Sequence, residues 1–159
     1  MERTANFDET GRYRYCLTRC WRSDLPGLSI IMLNPSRADH QRDDPTLRRC
    51  IRLAQGWGYG GLTVVNLFAY CTAHPRELRQ VRDPIGPHND GYLRQVATLG
   101  EPLLLAWGNQ GRWRDRDQAV LALLAPGRDR SYCLGINRTG TPRHPLYVAA
   151  ATPLQPWPF

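Results

Sequence analysis

The chain has 159 residues, enough for one domain around one core, and no apolar stretch long enough for a membrane helix. Its five cysteines and four histidines are scattered, with no CxxC pair, which argues against zinc or a disulfide framework and for reduced thiols in a cytoplasm. Net charge is +7 and all 21 Lys-plus-Arg positions are arginine, so the surplus points to a polyanionic partner, although a GC-rich coding bias would give the same composition.

The polar opening Met1-Glu2-Arg3-Thr4 predicts no signal peptide. The first twenty residues read as an edge hairpin or strand, with Tyr13, Tyr15 and Leu17 alternating with Arg12, Arg14 and Thr18. After the turn signal Asp24-Leu25-Pro26-Gly27, Leu28–Leu33 is a continuous apolar run, as in a parallel strand buried on both faces. Pro45, with Leu47, Ile51 and Ala54 at helical spacing, predicts a helix that stops at the glycine-rich Gly56–Gly61. Leu62–Leu67 is the second strand, Pro75–Val81 a short helix, Asp83–Pro87 a rigid connector and His88–Leu99 a helix. Pro102–Trp107 is the third strand, Arg112–Leu124 a helix with Val120, Leu121, Leu123 and Leu124 inward, and Ser131–Gly135 the fourth strand. Asn137–Pro145 reads as an irregular loop, followed by a short apolar strand at Tyr147–Ala151 and a Pro-rich tail. Alternating strands and helices predict a single α/β domain, a three-layer α/β/α sandwich on a central four-stranded parallel sheet.

Four motifs fall just past strand ends: Leu33-Asn34-Pro35-Ser36, Val65-Asn66-Leu67-Phe68, Ala106-Trp107-Gly108-Asn109 and Arg143-His144-Pro145-Leu146. In an open α/β sheet the carboxyl ends of the strands border the ligand crevice. Pro35 restricts Asn34 to extended backbone, so that Asn34 either faces that crevice or caps its own loop. Asn66, at the end of an apolar run, must satisfy the backbone locally or face a ligand, and its amide offers the side-by-side donor and acceptor that match a base edge. His144 sits between Pro142 and Pro145, which pre-organise its loop, and an imidazole there can donate to a developing anion; the alternative is a surface histidine. Asp39, Asp43 and Asp44 could hold Mg²⁺, or serve as a helix cap and dipole partners ahead of Pro45. Trp107-Gly108 reads as a packing position, and no phosphate-cradling glycine loop or nucleophile elbow is present.

These motifs, together with Asp43-Asp44-Pro45-Thr46 and Asp83-Pro84-Ile85-Gly86-Pro87-His88-Asn89, resemble the bacterial and phage family called domain of unknown function 1643, from Tyr13 to about Pro153. The strand-end order is also similar to the uracil-DNA glycosylase superfamily. That resemblance implies a water-positioning first motif at Asn34-Pro35, a pyrimidine-reading Asn66, a third element at Leu105-Ala106-Trp107-Gly108 and a base-polarising His144-Pro145. Some families of that superfamily carry a four-cysteine iron–sulfur cluster, but the cysteine spacings here do not support one, and no cofactor is expected. The chain departs from that pattern at Met32, where a glycine is usual, in lacking an aspartate that some members use, and in having no serine after His144-Pro145.

The reading is an N-glycosylase acting on a modified or damaged base in DNA, with Asn34 and His144 catalytic and Asn66, Phe68, Pro35 and Ser36 binding the base. Arg37 and Arg143 would contact the backbone, and Asp39, Asp44, Trp107, Leu146 and Tyr147 are further pocket candidates. The alternatives are a module that binds a base without cleaving it and a Mg²⁺-dependent phosphohydrolase built on Asp39, Asp43 and Asp44.

Overall fold

The most apolar stretches of the chain form the middle of the sheet. In the computed structural model, which describes residues 1–159, β3 (Gly27–Met32), β4 (Gly61–Asn66), β5 (Leu103–Leu105) and β6 (Ser131–Cys133) follow β1 (Glu2–Phe7) and β2 (Arg14–Cys20), and β7 (Gln155–Pro156) closes the chain. The helices are α1 (Pro45–Gly56), α2 (Asn89–Thr98) and α3 (Arg116–Leu124). The strands make one seven-stranded mixed sheet in the order β1-β2-β4-β3-β5-β6-β7. β3 pairs parallel with β4 and β5, and β5 with β6, while β1, β2 and β7 pair antiparallel. The sheet is therefore wider and more mixed than the four parallel strands expected, because the N-terminal hairpin and the tail both join it.

Alternation along the inner strands sorts their side chains between two cores. Leu28, Ile30, Met32, Leu62, Val64 and Leu104 pack with Leu47, Cys50, Ile51 and Ala54 of α1. Ile31, Leu33, Val65, Leu103 and Leu105 pack with Leu93 and Val96 of α2 and Val120 and Leu124 of α3. Helix α1 begins where the sequence predicts, since the Asp44 carboxylate accepts from the Leu47 N–H at 2.8 Å and Pro45 needs no N–H partner there.

Three elements differ from expectation. Helix α3 starts at Arg116, because Arg114 and Asp115 adopt left-handed backbone (φ 56° and 52°) after a 3-10 segment. Trp113 lies against Phe68 there, with ring centroids 5.4 Å apart, and the Arg114 guanidinium lies over its ring. Of the four residues expected inward on this helix, Val120 and Leu124 are fully buried and Leu121 and Leu123 are half-buried. Tyr147–Ala151 is not a strand: Pro145–Tyr147 forms a 3-10 turn, closed by the Tyr147 N–H on the His144 carbonyl, and Val148 tucks against α1. The Pro-rich tail instead adds β7 at the sheet edge, where a proline without an N–H is tolerated.

Candidate functional site

A cavity of about 340 Å³ opens at the carboxyl ends of β3 and β5, between the start of α1 and the His144 loop. This is the crevice expected of an open α/β sheet. Asn34, Ser36, Asp44, Trp107, His144 and Tyr147, all singled out from the sequence, line it together.

Asn34 is held by its own amide. Its Nδ2 donates to the carbonyls of Pro35 and Thr72, at 3.0 and 2.9 Å. The nitrogen is committed, which leaves Oδ1 as the one unengaged side-chain acceptor of a residue that lines the cavity. The Thr72 N–H in turn donates to the Pro35 carbonyl, tying the loop after β3 to the segment after β4.

His144 rides on a loop that is far more ordered than its sequence suggests. Ile136 and Pro142 bridge, the Arg143 N–H donates to the Gly135 carbonyl, and the Thr139 and Thr141 hydroxyls both donate to Asn109 Oδ1. Gly108, at φ +77°, donates its N–H to the Pro142 carbonyl and brings this loop onto the end of β5. The imidazole Nδ1 accepts from the Leu146 N–H at 3.2 Å. A neutral ring must then carry its proton on Nε2, and burial holds the His144 pKa below its ordinary value, against the opposing charge of Asp44. At neutral pH His144 is a hydrogen-bond donor through Nε2.

Asn66 is fully buried and does not line the cavity itself. It lies one pleat beyond Val64 on the α1 side of the sheet, in register with Met32, and both of those residues do line the cavity. Neither its Nδ2 nor its Oδ1 has a partner. The strand end is fixed by its backbone instead: Asn89 Nδ2 donates to the Asn66 and Leu67 carbonyls and Arg116 Nε to the Leu67 carbonyl. A buried amide with two idle polar atoms beside a cavity is costly unless something else engages it.

The remaining candidates lie elsewhere. Phe68 belongs to the opposite core against Trp113, and Pro35 is buried outside the cavity wall. Arg37 and Arg143 are exposed and line none of it, and Leu146 is exposed at its flank. The three aspartates have separate structural duties: Asp39 accepts from the Gln41 and Arg42 N–H groups, Asp43 pairs with Arg19 at 2.9 Å, and Asp44 caps α1. Hydrogen bonds from those two N–H groups also hold the Asp39 carboxyl below its usual range. No group of three His, Cys, Asp or Glu gathers to hold a metal ion.

Two features escaped sequence reading. Arg14 is buried and lines the cavity, although it reads as one charged position of an alternating edge strand. Gln110 joins the wall from the 3-10 segment after β5 and also borders a surface depression with Arg76 and Arg79. Arg48, Arg49 and Arg52 of α1 form a second basic depression with Pro45 and Leu146. A wider, more open groove of about 690 Å³ between β1, β2 and α2 carries Asp8, Glu9, Tyr15 and Tyr92, but it lies away from the strand ends. No helix is long and apolar enough to cross a membrane.

A family model described as "Protein of unknown function (DUF1643)" matches residues 14–146. The chain belongs to the DUF1643 family. The matched span of this DUF1643 member runs from the cavity arginine on β2 to the residue after the His144-Pro145 pair, and so takes in every polar cavity residue named above except Tyr147. No curated protein and no solved structure matches the chain.

Proposed function

We propose that this protein is an N-glycosylase-like hydrolase that takes a modified or damaged base of DNA into the cavity at its strand ends. The observation that carries this reading is the meeting of Asn34 and His144 across one base-sized cavity, each with one polar atom committed to the protein and one left over. Asn66 lies behind the lining residues Met32 and Val64, so its idle amide would meet the edge of a flipped base only when those two side chains give way. As the bond between base and sugar C1′ breaks, the electron pair leaves with the base, and His144 Nε2–H donates to the anion that forms. A water that donates a hydrogen bond to Asn34 Oδ1 adds to C1′ through its oxygen, and the proton it releases neutralises the departing base. An oxocarbenium-like sugar needs little nucleophile activation, so an amide that only orients water is sufficient.

The similarity of the strand-end motifs to the uracil-DNA glycosylase superfamily supports the same reading and suggests a related fold. The basic depressions of Arg76 with Arg79, which shares Gln110 with the cavity, and of Arg48 with Arg49 and Arg52 on α1 suit the phosphates flanking a flipped nucleotide better than Arg37 and Arg143, which are exposed and line none of the cavity. A cytoplasmic protein with a DNA partner is the setting this implies. The test is incubation of the purified protein with single- and double-stranded oligonucleotides carrying deaminated, oxidised and alkylated bases, followed by hot alkali to reveal abasic sites. Strand breaks at one class of modified base are expected. Tight binding with every strand intact would leave a module that holds a base without cleaving it.

A further inference from the structure

Strand β2 is irregular at one point, and that point decides where Arg14 goes. Its register with β1 shifts between Asn6 and Phe7, whose partners are Cys16 and Arg14, so Tyr15 is passed over. A bulge of this kind re-aims side chains. Tyr15 stacks on Tyr92 of α2, with ring centroids 5.2 Å apart, on the face away from α1. Arg14 is turned into the cavity wall with only 4% of its surface exposed.

The arginine is under-used there. Nη1 donates to the Ala38 carbonyl at 2.9 Å, and buried Nε has no partner. No carboxylate comes within ion-pair distance: the three ion pairs of the protein belong to Arg19, Arg22 and Arg116. Asp44 shares the cavity wall, but one of its oxygens is already taken by the Leu47 N–H. A buried cation without a counter-ion is expensive, and such groups are ordinarily paired. The counter-ion is therefore to be sought in what enters the cavity.

We propose that Arg14 makes the cavity floor an anion-recognition subsite, which takes a carboxylate or phosphate group of the ligand through its guanidinium. The planar fork suits both oxyacids. This rests on the reading that the cavity receives a base or nucleotide, but not on any cleavage. It narrows the ligand: a base bearing an acidic substituent if the anion is a carboxylate, or a nucleotide held by its phosphate if it is not.

Paired probes test it. Calorimetric affinities at low salt are compared for uracil against 5-carboxyuracil and for uridine against uridine 5′-monophosphate, with inorganic phosphate as a fifth probe, in the wild type, Arg14→Gln and Arg14→Lys. At least one anionic member should bind about tenfold or more tightly than its neutral parent, as a charge-assisted hydrogen bond implies. Arg14→Gln should level the pair, and Arg14→Lys should retain part of the difference because the charge remains while the fork is lost. Preference for carboxyuracil identifies an acidic base; preference for the monophosphate, with phosphate competing, identifies a nucleotide phosphate. Equal affinities within both pairs in the wild type would overturn the proposal, as would a preference that survives Arg14→Gln. If Arg14→Gln fails to fold, the wild-type pairs and Arg14→Lys decide, and an undiminished preference in Arg14→Lys counts against it. Anion preference without abasic sites in any oligonucleotide would remove the glycosylase reading alone, and cleavage of an uncharged base without anion preference would remove this one alone.

Discussion

Strand β2 buries an arginine at each end, and the two are treated in opposite ways. Arg19, 1% exposed, donates to the Asp43 carboxylate, the Thr18 carbonyl at 2.9 Å, the Arg42 carbonyl at 3.2 Å and the Asp39 carbonyl. Its guanidinium organises the loop before α1 with four of its five N–H donors engaged. Arg14, 4% exposed, meets one carbonyl and no carboxylate. A partial contrast separates two buried asparagines: Asn89 uses its amide nitrogen twice to hold the end of β4 and leaves only Oδ1 unpartnered, whereas Asn66 uses neither polar atom. Burial alone does not make a polar residue structural. How much of its hydrogen bonding the protein itself meets does, and two of the unmet groups, Arg14 Nε and Trp107 Nε1, belong to residues that line the cavity.

The contrast can be broken by substitution. His144→Ala carries the largest effect: it removes a donor to charge that develops in the transition state, so cleavage should fall by about 10²–10³ with little loss of binding. Next, Arg19→Met should cost about 3 kcal/mol in urea denaturation, since it removes a buried guanidinium that serves the partly exposed Asp43 carboxylate and three carbonyls. Arg14→Met should cost no more than about 1 kcal/mol, the value of one ordinary hydrogen bond, because no carboxylate is left behind. Equal losses at the two ends would erase the distinction between them. Asn66→Leu should leave stability unchanged or raise it by about 1 kcal/mol, because two unpartnered buried atoms disappear. The same change should weaken base discrimination by about 1–3 kcal/mol, measured as relative cleavage of competing bases. Reversal of charge at Arg76 and Arg79 should lower oligonucleotide affinity evenly across sequences and flatten its salt dependence by about one log unit per lost phosphate contact.

The smallest effect concerns pH. The folded pKa of His144 lies below the ordinary 6.5, so the unfolded chain takes up the proton first. Stability should therefore decline as pH falls from that ordinary value through the folded pKa, and be unaffected by this group above it. An NMR titration of the His144 ring should place its midpoint below 6.5. A midpoint above neutral pH would leave the ring mainly protonated there, which the Nδ1 acceptor role toward the Leu146 N–H does not allow.

Much of the scaffold was legible because its signals are local. The apolar runs mark β3 to β6, and Asp44-Pro45 marks the start of α1 through a cap and a missing N–H that act within one turn. The tail strand β7 was not legible, since two residues with a proline carry no strand signal and are ordered by pairing with β6. The break before α3 was hidden as well, because Trp113 is held by Phe68, a residue 45 positions away in sequence. At the site, Asn34 and His144 could be named from strand ends and flanking prolines. Phe68 could not be placed, since the residue after a strand can fall to either core. Arg14 was missed because a bulge opposite Asn6 and Phe7 reverses the face that alternation assigns.

The central claim is that the cavity breaks a bond to a base and that His144 carries the departing charge. Its most direct test is single-turnover formation of abasic sites by wild-type and folded His144→Ala protein on the best oligonucleotide substrate, with affinity measured on the same strand. The account predicts near-equal affinity and a rate lower by about 10²–10³ in the variant. Equal rates in the two proteins would contradict it.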